Sequence, residues 1–290
     1  MHDRTAMSYT QSLSSENPGY ILILIDQSGS MSSKFGGTTG GSKAEECAKA
    51  VNRVLRELGL TCTAGSVIKN RCDISLLSYG ASGNQAKNAL SGQLASKPVV
   101  TMQELVNCCL KVDTVKMKVS DGAGGLVEVD EQFPIWIEPI ASGGTPMAAA
   151  FEVACNLVDS WTKSHQASFP PIVINITDGA PDSQSDAQVA ASKLSQLGTS
   201  DGTTLILNAH ISEGKAAKVQ LPSSPSELPP GDGNAKFLFD ISSELPPVMF
   251  ERAGAVGYNN LAPGARGFVY NADAETMIRL LDVGTRSNLQ

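Results

Sequence analysis

Residues 21–30 of this chain read ILILIDQSGS, and this stretch decides the fold. Five aliphatic residues in a row are typical of a strand that is buried on both faces, at the centre of a parallel sheet. The strand runs directly into one carboxylate and two hydroxyls, those of Asp26, Ser28 and Ser30. Ligands of open α/β sheets bind just beyond the carboxyl ends of the strands, and oxygen clusters suit a hard divalent cation such as Mg²⁺. The stretch therefore predicts an α/β fold with a metal site at the end of a central strand.

The composition fits a chain with a substantial core and argues against several classes of partner. The 290 residues are 41% hydrophobic and 18% charged, and 29 acidic against 22 basic side chains give a net charge of −7. An acidic chain without a run of lysine or arginine is not expected to bind nucleic acid or an anionic membrane. The sequence contains no apolar stretch of membrane-spanning length, and the polar segment before Pro18 lacks the apolar part of a signal peptide. A cytoplasmic location is therefore expected.

Apolar strands and helical patterns alternate along most of the chain. Strands are predicted over 73–79, 135–140, 172–177, 204–209 and 237–241, and helices over 42–58, 146–163, 182–197, 245–256 and 273–283. The first helix has Ser42 and Glu45 at the spacing of a capping box. This alternation predicts a doubly wound α/β fold, with a mostly parallel central sheet flanked by helices on both faces.

The segment 80–140 interrupts this order. Residues 80–96 indicate a loop, and residues 99–110 fit a helix or a strand equally well. The alternation over 115–129, around Asp121 and Gly122, predicts a β-hairpin added to the edge of the sheet. We therefore expect a single domain over 19–285 with an insertion at about 80–140. A flexible N-terminal tail (1–18) and a short C-terminal tail (286–290) are expected at its ends.

Six cysteines are scattered without a C-x-x-C pair. Cys62 and Cys72 flank a loop and are suited to form a disulfide in an oxidising compartment. Because the sequence indicates a cytoplasmic protein, reduced thiols are the expectation.

Two further loops complete the oxygen cluster. Thr145 follows Gly143 and Gly144, and Asp178 directly follows the strand over 172–177. Since parallel strands end at one edge of a sheet, these residues are expected to lie near the first cluster. Two carboxylates and three hydroxyls offer direct or water-bridged oxygens to an octahedral ion. The predicted metal ligands are Asp26, Ser28, Ser30, Thr145 and Asp178. Asp182 and Asp186 are expected to cap the next helix.

The order D-x-S-x-S, then G-G-T-P, then T-D-G resembles the metal-ion-dependent adhesion site (MIDAS) of von Willebrand factor A domains. The resemblance covers residues 19–215 and extends by the order of elements to about 285. It implies that Ser28, Ser30 and Thr145 contact a Mg²⁺ or Mn²⁺ ion most directly, while Asp26 and Asp178 act partly through water. It also implies that an Asp or Glu of a partner protein completes the metal shell.

The resemblance implies a metal-dependent protein-binding adaptor that is not an enzyme. The chain is similar to stand-alone bacterial A-domain proteins of stress-response and tellurite-resistance systems, which implies a protein kinase or a PP2C-type phosphatase of the same operon as partner. Two alternatives stay open. A Mg²⁺-dependent phosphatase or hydrolase of the HAD-like type also places an Asp after its first strand, but it needs a second carboxylate two residues on, where this chain has Ser28. The other alternative is a scaffold with a vestigial metal site.

Overall fold

A computed structural model of the chain describes residues 8–36, 41–81, 83–120, 125–211 and 217–286. The strands of these segments are β1 (Gly19–Asp26), β2 (Thr63–Ala64), β3 (Val67–Ile68), β4 (Cys72–Gly80), β5 (Gly83–Asn88), β6 (Val100–Thr101), β7 (Lys111–Ser120), β8 (Leu126–Ile135), β9 (Ile172–Thr177), β10 (Gly198–Thr199), β11 (Gly202–Thr203), β12 (Leu205–Ile211), β13 (Val219–Gln220) and β14 (Phe268–Ala272). The α-helices are α1 (Lys43–Thr61), α2 (Met102–Asn107), α3 (Met147–Ser164), α4 (Gln184–Leu194), α5 (Gly233–Ile241), α6 (Pro247–Ala255) and α7 (Ala274–Arg286).

A mostly parallel sheet forms the centre of the fold. Its order is β13-β14-β12-β9-β1-β4-β5, and β6 pairs with β4 beside this path. The strands from β14 to β4 are parallel to one another, whereas β13, β5 and β6 are antiparallel to their neighbours. Strand β1 is buried along its whole length, as the aliphatic run predicts. The predicted doubly wound α/β fold is thereby confirmed.

Alternate side chains of β1 enter two separate apolar layers. Ile21, Ile23 and Ile25 pack with buried residues of α1, α2, α6 and α7, while Leu22 and Leu24 pack with those of α3, α4 and α5. Burying one such aliphatic side chain stabilises the fold by about 1.5–3 kcal/mol. Asp26 continues the second series, so its carboxylate lies on the face covered by α3, α4 and α5.

Helix α1 begins with the predicted capping box. The Ser42 hydroxyl accepts from the Glu45 backbone N–H, and the Glu45 carboxylate accepts from the Ser42 backbone N–H. The cap fixes where the helix starts, and Lys43 becomes its first residue.

The prediction of a strand over 237–241 was wrong, because these residues belong to α5. Its Asp232 cap accepts from the backbone N–H groups of Asn234 and Ala235. A short apolar run does not distinguish a strand from a buried helix, and the acidic cap was the signal that favoured a helix. The last strand is instead β14.

The region 80–140 also differs from the prediction in three places. Residues 83–88 form β5 rather than a loop, and the ambiguous segment 99–110 contains β6 followed by α2. The predicted strand over 135–140 is absent, since Ile135 is the last residue of β8 and the described residues 136–146 have no regular structure.

The predicted hairpin is present as β7 and β8, but it is longer than expected and forms its own two-stranded sheet. It lies against α1, where Arg56 pairs with Glu131 and stacks its guanidinium 5.5 Å from the Phe133 ring centroid. The prediction that the hairpin is added to the edge of the central sheet was therefore wrong. The predicted turn at Asp121 and Gly122 lies outside the described residues.

The part of the N-terminal segment that is described, 8–18, contacts the domain. The Asp201 carboxylate accepts from the backbone N–H groups of Thr10 and Gln11 at 3.0 Å each, and Leu13 is buried. Among the described helices, none is long and apolar enough to cross a membrane.

Candidate metal centre

The Asp26 carboxylate is a fully buried group of the candidate site. Asp26 is the last residue of β1 and is fully buried. One carboxylate oxygen, Oδ1, accepts from the Ser28 backbone N–H at 2.8 Å, and the other, Oδ2, accepts from the Thr177 hydroxyl at 2.7 Å. The two hydrogen bonds fix the orientation of the carboxylate in the loop after β1.

A chain of hydroxyl contacts connects this loop to the loop after β9. Ser28 Oγ lies 3.1 Å from Ser30 Oγ, and the Ser30 hydroxyl donates to Asp178 Oδ1 at 2.7 Å. Four of the five predicted ligands, Asp26, Ser28, Ser30 and Asp178, are thereby joined in one hydrogen-bonded series.

The fifth predicted ligand, Thr145, is brought to the same edge by backbone contacts. The Gly29 N–H donates to the Gly143 carbonyl at 3.0 Å, and the Ser142 N–H donates to the Gln27 carbonyl at 2.7 Å. The loop before α3 therefore lies directly against the loop after β1, with the side chain of Thr145 almost fully buried.

Asp182 holds the Thr145 backbone through two hydrogen bonds. Its carboxylate accepts from the Thr145 N–H at 2.8 Å, and its own N–H donates to the Thr145 carbonyl at 3.0 Å. The expectation that Asp182 caps α4 was wrong, because Ser183 is the cap and accepts from the Asp186 N–H. Asp186 thus lies in the first turn of α4 rather than at its cap.

Two glycines allow the loops to approach this closely. A Cβ on Gly143 would lie 2.3 Å from the Gly80 carbonyl oxygen, and one on Gly80 would lie 2.6 Å from the Ser28 backbone nitrogen. Both residues also have positive φ, +81° for Gly143 and +110° for Gly80, which L side chains rarely adopt. Any larger residue at either position would push apart the end of β4, the loop after β1 and the loop before α3.

The electrostatics of the site favour a cation. Burial raises the pKa of Asp26 to about 6, against the lowering effect of its hydrogen bonds from Thr177 and Ser28, and the Asp178 charge raises it further. Burial disfavours the ionised carboxylate, and a bound cation would offset that cost. Within the described ranges, no group of three His, Cys, Asp or Glu side chains is arranged for a metal, so a metal centre here depends on the serine and threonine hydroxyls.

Asp178 has a second partner that the sequence did not indicate. The Lys43 Nζ lies 2.9 Å from Asp178 Oδ2, and the two side chains are 8% and 0% exposed. In the sequence, Lys43 has the appearance of an ordinary lysine at the start of a surface helix. Thr177 was also missed, although it directly precedes Asp178 and shares the sheet face of Asp26.

No protein-family model matches the chain, and no curated protein matches it. Among solved structures, the chain is similar to the pilus adhesin SpaC from Lactobacillus rhamnosus GG, with 11% identity, 96% of this chain and 31% of that chain covered, and a TM-score of 0.50. The chain shares its fold with part of SpaC and spans 31% of the length of that chain.

Two further structures match at lower scores. One is the manganese-loaded TRAP protein of Plasmodium vivax, with 15% identity, 93% of this chain and 74% of that chain covered, and a TM-score of 0.43. The other is the vWF domain of the pili tip protein Mfa5 from Porphyromonas gingivalis, with 15% identity, 59% and 39% coverage, and a TM-score of 0.30.

Proposed function

We propose that this chain is a protein-binding domain of the von Willebrand factor A type, whose partner contributes an acidic side chain to a divalent cation. The observation that carries the proposal is the hydrogen-bonded series from Asp26 through Ser28 and Ser30 to Asp178. It joins two carboxylates and two hydroxyls from two strand ends at one edge of the sheet, and a third loop adds Thr145 at this edge.

The residues present fit a small, hard cation. Carboxylate and hydroxyl oxygens are suitable ligands for Mg²⁺ or Mn²⁺, and Mg²⁺ usually uses one or two protein carboxylates and keeps several waters. Ser28, Ser30 and Thr145 would hold the ion directly, and Asp26 and Asp178 would act partly through water. When bound, the ion supplies an electrophilic position that accepts an oxygen of a carboxylate.

The surrounding residues would keep the donor set in place. Thr177 and the Ser28 backbone orient the Asp26 carboxylate, and Asp182 holds the Thr145 backbone from both its N–H and its carbonyl. Because the loops are fixed before binding, little conformational entropy would be lost when an ion and an acidic side chain arrive.

The ligand types of the site support an acidic partner. The carboxylates of Asp26, Asp178 and Asp182 would balance a divalent ion and the Lys43 ammonium, and the serine and threonine hydroxyls add no charge. The remaining positions of the ion would then accept an oxygen from an acidic side chain of the partner. We propose a protein kinase or a PP2C-type phosphatase of the same operon as the partner, and the cytoplasm as the location.

The HAD-like alternative is disfavoured by the surroundings of Asp26. Such an enzyme uses the first aspartate as a nucleophile, which must reach the substrate. Here the carboxylate is fully buried, and both of its oxygens accept hydrogen bonds. The position of the second carboxylate is occupied by Ser28, which has no acid–base function at neutral pH.

The test is affinity capture of a kinase or phosphatase encoded beside the gene, with purified components. The wild-type protein should retain the partner in Mg²⁺ and release it in EDTA. Thr145→Val removes one hydroxyl at nearly constant volume and should abolish capture, whereas Ser32→Ala, at an exposed residue two positions after Ser30, should not. Capture that withstands both EDTA and Thr145→Val would favour the scaffold alternative.

A further inference from the structure

The Lys43 side chain stands apart from the other ion-paired lysines of the described chain. Its exposed fraction is 8%, whereas those of Lys49, Lys97, Lys111, Lys116, Lys163, Lys218 and Lys236 lie between 46% and 72%. An exposed lysine pair contributes little to stability, and burial of an ammonium is costly unless a carboxylate compensates it. Among the ion-paired lysines of the described chain, Lys43 is thus unusual because it is buried against its carboxylate partner.

The position in the helix adds to this cost. Lys43 is the first residue of α1, where the partial positive charge of the helix N-terminus disfavours a cation. The same helix carries Glu45 and Glu46 in its first turn, the residue type that this end favours. Neither helix propensity nor capping accounts for the lysine, so the reason lies in its contact with Asp178.

Asp178 divides its two oxygens between the lysine and the hydroxyl cluster. Oδ2 accepts from the Lys43 ammonium at 2.9 Å, and Oδ1 accepts from the Ser30 hydroxyl at 2.7 Å. The ammonium is therefore attached to a carboxylate that the proposed metal centre also needs. A divalent ion bound to Ser28 and Ser30 would lie close to a positive charge that cannot move far.

We infer that Lys43 sets the affinity of the proposed metal centre, because its ammonium opposes the charge of the divalent cation. The inference rests on the proposed function. Two effects of Lys43 act in opposite directions: it orients Asp178, which aids binding, and it repels the ion, which weakens binding. The Ser30 hydrogen bond still orients Asp178 when the lysine is removed, so the repulsion decides the sign.

The experiment is calorimetric titration of the purified chain with MnCl₂. Lys43→Met removes the charge at similar length, and Lys43→Gln removes the charge but keeps a donor for Asp178. Each neutral variant should bind Mn²⁺ at least about tenfold more tightly than the wild type, because a unit charge at this range acts strongly on a divalent ion. Lys43→Arg keeps the charge and should remain close to the wild type.

The matched control is Lys49→Met on the same helix, whose side chain is 67% exposed and pairs with Glu46. It should leave the Mn²⁺ affinity unchanged. Circular dichroism confirms that each variant is folded, and Lys43→Gln serves if Lys43→Met does not fold.

The possible results separate this inference from the proposed function. The inference is supported if Lys43→Met and Lys43→Gln bind Mn²⁺ more tightly than the wild type, while Lys43→Arg and Lys49→Met do not. If the wild type binds Mn²⁺ and folded neutral variants bind equally or more weakly, the inference is overturned and the metal centre stands. If neither the wild type nor the neutral variants bind at millimolar Mn²⁺, both are overturned.

Discussion

The Ser30 hydroxyl donates a hydrogen bond of 2.7 Å to Asp178 Oδ1, across 148 positions of the chain. Ser30 follows β1 and Asp178 follows β9, and these strands are adjacent and parallel. The contact is a direct consequence of the sheet order, which brings both loops to one edge. It ties the D-x-S-x-S segment to the T-D-G segment, and the predictions below concern the groups that maintain this arrangement.

Thr177→Val is expected to remove one of the two hydrogen bonds that orient the Asp26 carboxylate. The change keeps the shape of the side chain but removes the donor to Asp26 Oδ2, which leaves a buried carboxylate oxygen unsatisfied. The free energy of unfolding should fall by about 1–3 kcal/mol. The pKa of Asp26 should rise further, since the Thr177 hydrogen bond lowers it.

Urea unfolding of the variant measures this loss, with Thr114→Val as the control. Thr114 is exposed on β7, where a β-branched replacement is tolerated and the unfolding midpoint should hardly change. Equal midpoints for wild type and Thr177→Val would contradict the assigned role.

Gly143→Ala is expected to push the loop before α3, which carries Thr145, away from the end of β4. A Cβ there would lie 2.3 Å from the Gly80 carbonyl oxygen, and the φ of +81° adds strain. The variant should lose at least about 1–3 kcal/mol of stability and bind Mn²⁺ more weakly. Thermal unfolding and calorimetry give the two readouts.

Gly254→Ala provides the opposite case, because Gly254 lies within α6 and its Cβ position is open. There alanine favours the helix, by up to about 1 kcal/mol. If Gly143→Ala were at least as stable as the wild type, as expected for Gly254→Ala, the close approach of the backbone at Gly143 would be refuted.

His210 is expected to make stability depend on pH. Burial lowers the pKa of this imidazole to about 4, from an ordinary value of 6.5. The folded state therefore prefers the neutral ring, which is stacked on Tyr270 with centroids 4.6 Å apart. This contribution is fully present above pH 6.5 and is lost as the pH falls from 6.5 through about 4.

The measurement compares the wild type with His210→Phe in urea at pH 7 and pH 4. Asp26 acts in the opposite direction in this window, since its raised pKa of about 6 favours the folded state as the pH falls. The difference between the two proteins cancels that effect and isolates His210. On acidification the wild type should lose up to about 3 kcal/mol more than the variant, and an equal loss would exclude His210 as the cause.

Cys62 and Cys72 are expected to form a disulfide under oxidation. Both residues are buried free cysteines, and the neighbouring thiol lowers the pKa of Cys62 and raises that of Cys72. Treatment with copper phenanthroline should lower the mass of the chain by two hydrogens, and peptide mapping should join Cys62 to Cys72. The crosslink closes a short loop and should raise the free energy of unfolding by about 2–3 kcal/mol. Cys72→Ser should abolish both changes, whereas a crosslink mapped elsewhere would contradict the arrangement.

The features that the sequence predicted well depend on local patterns. The aliphatic run before Asp26 identified the central strand, and the spacing of Ser42 and Glu45 identified the start of α1. The positions of Ser28, Ser30 and Asp178 followed once parallel strands were inferred, since such strands end at one edge.

The features that the sequence did not predict depend on contacts between distant segments. Lys43 meets Asp178 across 135 positions, and the close approach of the Ser28 backbone to Gly80 is a contact between distant segments as well. The run Phe237–Ile241 was assigned to a strand because its apolar residues fit either period. Its helical form depends on the Asp232 cap and on the layer that buries it.

The central claim is that this edge of the sheet binds a divalent cation through the hydroxyls and Asp26, and calorimetric titration with MgCl₂ and MnCl₂ tests it most directly. Wild-type protein and Asp186→Asn, which changes an exposed acid in the next helix, should bind one ion per chain. Folded Asp26→Asn and Thr145→Val should bind at least about tenfold more weakly. Absence of binding by the wild type at millimolar concentration, or equal binding by all four proteins, would contradict the account.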